Sequence, residues 1–139
     1  MSLAFLLDTN VLAEPLKAEP DRGVMAKIRQ HEGQMAVAAP VWHEMWFGWA
    51  RLAAGKRRTA IEAYLSSALR PSLQILAYTA AAGEWHARER ARLVARGRTP
   101  SFVDGQIASI AVEHDLTLVT RNGSDFKMFH GLRVVDWSG

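Results

Sequence analysis

The 139-residue sequence contains no cysteine. That absence excludes a disulfide framework and any thiolate metal site, and it fits a reducing compartment. Long hydrophobic runs are missing as well. The run Leu3-Ala4-Phe5-Leu6-Leu7 is too short for a signal-peptide core or a membrane span, and no basic segment precedes it. A cytoplasmic location without a membrane partner is therefore expected. No internal repeat, low-complexity tract or linker interrupts residues 1–139, which are expected to form one domain around one core. The histidines at 31, 43, 86, 114 and 130 lack metal-ligand spacing. Acids are only slightly outnumbered, with 14 Asp and Glu against 17 Lys and Arg for a net charge of +3. If several acids share one pocket, the remaining surface is more positive than that figure.

What is present is an alternation of short apolar runs with helical patterns. Strands are expected at Leu3–Leu7, Met35–Ala39, Leu73–Leu76, Leu116–Thr120 and Leu132–Val135. Leu3–Leu7 is a continuous apolar run of the kind buried on both faces of a sheet, Met35–Ala39 is a second short apolar run, and Leu116–Thr120 reads as a buried-type strand. A short helix is expected from Val11 to Leu16, broken near Pro15, and another from a cap at Asp21 to about His31. A third runs from about Val41 to Ala54 behind Pro40, and a fourth from Thr59 to Leu69, led into by Lys56-Arg57-Arg58. The last two run from a Thr79 cap to Arg96, closed by Gly97, and from Val103 to His114. This alternation predicts an α/β fold, a three-layer α/β/α sandwich with a mainly parallel central sheet.

Four acids stand at the ends of these patterns: Asp8, Glu44, Asp104 and Asp125. In a parallel sheet, ligands bind beyond the C-terminal strand ends, where Asp8 closes the first strand and Asp125 follows the fourth. Glu44 and Asp104, near the starts of their helices, can reach the same edge. Taken singly, Asp8 and Asp125 also read as turn residues, Glu44 as a solvated helix acid and Asp104 as a helix cap. Gathered together, four carboxylates repel, and a hard divalent cation such as Mg²⁺ or Mn²⁺ removes that conflict. Such an ion can activate water and neutralise charge on a phosphoryl group.

The chain resembles the PIN-domain ribonucleases, specifically the VapC-like toxins of bacterial toxin–antitoxin modules, including their FitB-like branch. The resemblance rests on Leu7-Asp8-Thr9-Asn10-Val11-Leu12, Glu44-Met45-Trp46-Phe47-Gly48, Asp104-Gly105-Gln106-Ile107-Ala108 and Leu118-Val119-Thr120-Arg121-Asn122-Gly123-Ser124-Asp125-Phe126, in that order. It implies a PIN-like fold and an endoribonuclease dependent on Mg²⁺ or Mn²⁺. It also implies a homodimer neutralised by a cognate VapB-type antitoxin. Carried over by position, Asp8, Glu44 and Asp104 match the principal metal-binding acids, and Asp125 matches a more variable fourth. Asp8 and Asp104 are taken as the direct metal ligands. Thr9 and Thr120 match supporting hydroxyl positions, with Asn122 beside them. Cleavage by a metal-activated water is expected to leave 5′-phosphate and 3′-hydroxyl ends. Two departures are mild: Thr79 stands where relatives often have an acid, and Gly105 where they often have Ala. The second is expected to cost only helix propensity.

Among the basic residues, Arg51 lies two helical turns beyond Glu44 on nearly the same side and is a candidate phosphate ligand. Lys56-Arg57-Arg58 and the group Arg88, Arg90, Arg92, Arg96 and Arg98 are candidate RNA tracks. Trp42, Trp46 and Trp49 share one helix stripe away from Glu44, which reads as core or as a dimer or antitoxin groove. Two other functions stay open. One is a non-catalytic RNA- or partner-binding module. The other is an aspartyl-nucleophile phosphatase, whose Asp-x-Asp-x-Thr signature lacks its second acid here because Asn10 occupies that place.

Overall fold

A computed structural model describes residues 2–139. Five parallel strands form one sheet in the order β3-β2-β1-β4-β5. They are β1 (Phe5–Leu7), β2 (Met35–Ala38), β3 (Gln74–Leu76), β4 (Thr117–Val119) and β5 (Val134–Val135). The central strands carry the apolar runs: Leu6, Leu7, Ala36, Val37, Ala38, Leu118 and Val119 are all buried, as strands covered on both faces must be. Registers are Phe5 to Met35 on one side of β1 and Phe5 to Thr117 on the other.

The chain steps from β1 outward to β2 and β3, then returns across the sheet to place β4 on the other side of β1. This reversal makes the gap between the C-terminal ends of β1 and β4 the topological switch point, the crevice where open α/β sheets bind ligands. The helices flank the sheet: α1 (Thr9–Leu12), α2 (Arg22–Gln30), α3 (Ala39–Ala50), α4 (Lys56–Ala63), α5 (Ala80–Ala95) and α6 (Phe102–Glu113). None is long and apolar enough to cross a membrane.

Local chemistry sets most of the boundaries. Asp21 caps α2 by accepting the Val24 N–H at 2.9 Å, and Thr79 caps α5 by accepting the Ala82 N–H at 3.1 Å, both as expected. The expected Val11–Leu16 helix divides into α1 and a 3₁₀ turn at Glu14–Leu16, because Pro15 has no N–H to continue an α-helical ladder. Helix α3 ends at Ala50 rather than Ala54, with Arg51 as its C-cap. The basic triplet Lys56-Arg57-Arg58 does not lead into the fourth helix; it forms that helix's first turn, started at Gly55 without a side-chain cap. Positive charge at a helix start is unfavourable to the dipole. Here Arg58 is anchored instead by Trp49: its guanidinium lies 4.1 Å from the ring centroid, and Nε donates to the Trp49 carbonyl. A π-helical stretch, Tyr64–Leu69, follows α4.

The tryptophan stripe of α3 is neither fully core nor free. Trp42, Trp46 and Trp49 are half-buried against the core and meet edge to face at 6.1 and 5.2 Å. The Trp46 and Trp49 indole N–H groups are buried without a partner among the described residues.

Candidate active site

The switch point is built around Asp8. Leaving β1, its backbone N–H still donates to the Val119 carbonyl of β4 at 2.9 Å, so the residue is fixed before its side chain is considered. Its extended backbone makes it the N-cap of α1, with Oδ1 accepting the Thr9 N–H at 2.8 Å. Oδ2 accepts the Thr120 hydroxyl at 2.8 Å. Asp8 is 8% exposed and Thr120 is wholly buried, so this contact is shielded from water.

Thr120 is also an acceptor. Its Oγ1 takes the Asn122 backbone N–H at 3.0 Å and the Asn10 Nδ2 at 3.4 Å. Asn10 Oδ1 in turn accepts the Arg121 N–H at 3.2 Å. Asn122 thus acts here through its backbone, and its carbonyl accepts the Asp125 N–H that closes the 3₁₀ turn Gly123–Asp125. For Thr9 the contact is again the backbone N–H.

Arg121 reaches behind this junction. Its Nη1 donates to Glu14 Oε1 at 2.7 Å, and the Glu14 carboxylate also accepts the Asp21 N–H at 3.0 Å and pairs with Lys17 at 3.1 Å. Glu14 is 1% exposed. The Asp21 hydrogen bond holds its carboxyl below the usual glutamate range; burial opposes this, and Lys17 and Arg121 reinforce it.

Asp104 enters from α6. Ser101, not Asp104, caps that helix, its Oγ accepting the Asp104 N–H at 3.1 Å, which places the Asp104 carboxylate in the first turn. Burial pushes this carboxyl above the usual aspartate range. The Ser101 hydrogen bond opposes the shift, while the negative charges of Asp8 and Asp125 add to it. Asp104 therefore lies within reach of the charges of Asp8 and Asp125 at the switch point. None of the three pairs with a Lys or Arg among the described residues.

Packing places Asp104 as firmly as hydrogen bonds place Asp8. The next residue, Gly105, faces His86 of α5 so closely that a Cβ there would lie 2.0 Å from His86 Nε2. His86 is buried and bonded through Nδ1 to the Tyr78 hydroxyl at 2.8 Å. Burial and nearby Arg90 lower its pKa. The absence of a side chain at Gly105 is thus a steric requirement, not the mere loss of helix propensity expected from sequence.

Glu44 stands apart. It is exposed in α3, with His43 Nδ1 at 3.6 Å, and lines a separate hollow with Leu16, Trp49 and Arg57. Arg51 lies with its guanidinium 4.8 Å from the Phe47 ring centroid. Among the described residues, no three His, Asp or Glu side chains close on one point tightly enough to hold a metal ion by themselves. The chemistry of the donors nonetheless fits a hard cation: all oxygen, mutually repelling and without a protein counter-ion.

The PIN domain family model matches residues 5–130, a span that contains all four acids. The chain belongs to the PIN domain family. It is similar to the VapC ribonuclease Y4jK of Sinorhizobium fredii, at 37% identity over 94% of this chain and 95% of that protein. It is also similar to the tRNA(fMet)-specific endonuclease VapC of Shigella flexneri, at 31% identity over 98% of this chain and 99% of that one. The crystal structure of DNA-bound VapBC from Salmonella typhimurium superposes with a TM-score of 0.83 at 27% identity, covering 97% of this chain and 98% of that one. These likenesses run nearly the whole length of the chain. Asn10, Ser101, Glu14 and Arg121 support the Asp8–Thr120 junction and its neighbour Asp104; Asn10 and Arg121 stood in the motifs without a supporting role, and Ser101 and Glu14 stood in none. For Ser101 a signal existed, since a serine three residues before an acid often opens a helix.

Proposed function

We propose that this chain is the toxin of a VapBC-type toxin–antitoxin pair, a divalent-cation-dependent endoribonuclease acting in the cytoplasm as a homodimer and silenced by a VapB-type antitoxin. One observation carries the reading: Asp104 lies within reach of the charges of Asp8 and Asp125 at the switch point of a PIN fold, and none of the three pairs with a Lys or Arg among the described residues. Its similarity to a VapC ribonuclease and a VapC endonuclease supports the reaction, and its similarity to the VapC half of a VapBC structure supports the partner.

Asp8 and Asp104 are the direct ligands of Mg²⁺ or Mn²⁺ in this reading, with Glu44 and Asp125 acting directly or through water. The ion supplies an activated water and charge neutralisation at the scissile phosphate. The chain's own residues do the rest. Thr120 and the Thr9 N–H orient both oxygens of Asp8, and Asn10 and Asn122 orient Thr120. Arg51 holds a substrate phosphate on the Glu44 side.

The test is RNA cleavage by the purified chain with Mn²⁺ or Mg²⁺, with EDTA, and with the Asp8→Asn variant. Cleavage with either metal should yield 5′-phosphate ends, and both EDTA and Asp8→Asn should reduce it to background. Activity that survives both, or products with cyclic 2′,3′-phosphates, defeats the reading.

A further inference from the structure

Two open hollows meet beside the carboxylates. One, of about 550 Å³, is lined by Arg98, Thr99, Ser101, Asp104, Ser124 and Asp125. The other, of about 360 Å³, lies along the C-terminal end of α5 and is lined by Arg92, Leu93 and Arg96. Arg98 and Met128 line both, so the two form one continuous trough leading away from the acids. Each is within the roughly 300–1,000 Å³ of ordinary ligand sites.

The arginines along it are not equivalent. Arg92 is engaged in holding the fold, donating to the Glu89 carboxylate and to the Met128 carbonyl at 2.8 Å. Arg96 and Arg98 are exposed and have no carboxylate partner among the described residues. Their backbone is nevertheless fixed. Gly97 takes φ +74°, and the Gly97 and Arg98 N–H groups return to the Val94 and Leu93 carbonyls at 3.0 and 2.9 Å. This is the paired bonding of a Schellman turn, which any side chain at Gly97 would strain. The turn therefore presents two free guanidinium groups from a rigid base into the trough that holds Asp104 and Asp125.

A phosphodiester approaching those acids is repelled. The unneutralised guanidinium groups supply the opposing field, and guanidinium matches phosphate by paired hydrogen bonds. We propose that the trough carries the RNA backbone away from the active site, with Arg96 and Arg98 each holding one phosphate beyond the scissile bond. The assignment rests on the ribonuclease reading for the direction of the strand. It also narrows the basic segment from Arg88 to Arg98 to two contacts.

The experiment measures binding of a 5′-fluorescein-labelled single-stranded RNA to the full chain in EDTA, across a series of KCl concentrations. Each phosphate contact to a single strand contributes about 0.7 to the slope of log K against log salt. The Arg96→Gln/Arg98→Gln double variant should bind more weakly, with a slope shallower by about 1.4. The Arg96→Lys/Arg98→Lys variant, which keeps both charges, should restore the slope. An unchanged slope in the Gln variant, or no RNA binding by the parent chain, overturns the proposal. So does a Gln variant that keeps its RNA slope and loses antitoxin affinity, which would make the trough a protein-docking site. Cleavage with Mn²⁺ alongside an unchanged slope leaves the ribonuclease reading and removes the trough. A shallower slope in a chain that never cleaves does the reverse.

Discussion

Asp8 is nearly buried, and each of its carboxylate oxygens is taken by a donor, one from its own helix start and one from the far side of the β1–β4 gap. Glu44 carries the same charge on an exposed helix face with only His43 close by. Around Asp8, the chain has solved orientation before any substrate or ion arrives. Around Glu44 it has left the side chain free to adjust. Preorganised groups retain their geometry at the cost of repulsion and desolvation in the free protein, which is why the Asp104 carboxyl is pushed upward. A mobile acid avoids that penalty and contributes only when something draws it in.

This contrast can be broken from the rigid side first. Thr120→Val removes the hydroxyl that Asp8, Asn10 and Asn122 share, and leaves buried polar groups unpaired. Denaturant unfolding should show a loss of about 1–3 kcal/mol. Mn²⁺ affinity, read by calorimetry, should fall about 10- to 100-fold, as for other residues that orient a ligand. Next comes Gly105→Ala. Helix propensity alone favours alanine by up to about 1 kcal/mol. The clash with His86 Nε2 should reverse that sign and destabilise the protein by about 1–3 kcal/mol. A less bulky partner in Gly105→Ala/His86→Ala should recover part of the loss, giving a favourable coupling in a double-mutant cycle. The smallest effect on folding belongs to Glu44→Gln, which should leave stability within about 0.5 kcal/mol while lowering RNA cleavage. A large loss of stability in that variant would mean that Glu44 is held by the fold after all.

The central strands were legible because Leu3–Leu7 and Met35–Ala39 are short, uninterrupted apolar runs, which admit few other readings. Cap residues such as Asp21 and Thr79 announced themselves, since their hydrogen bonds close within three residues. The start of α4 was not legible. Three basic residues at a helix start contradict the dipole, and Arg58 among them is anchored by Trp49, nine residues upstream. Gly105 was misjudged for a similar reason, because its constraint comes from His86 on another helix. Asn10 read as a missing acid. Its actual partners, Thr120 and Arg121, lie more than a hundred residues along the chain.

By itself the sequence determined the alternating α/β pattern, the four acids and their PIN-like spacing, because these depend on local periodicity and on residues adjacent in the chain. Tertiary structure alone decided that Asp104 feels the charges of Asp8 and Asp125, that no contact joins Glu44 to these three among the described residues, and that two unpaired arginines of the cluster line the trough beside them. Charge coupling and hydrogen bonding depend on distance through space, and the return of the chain from β3 across to β4 is what sets those distances.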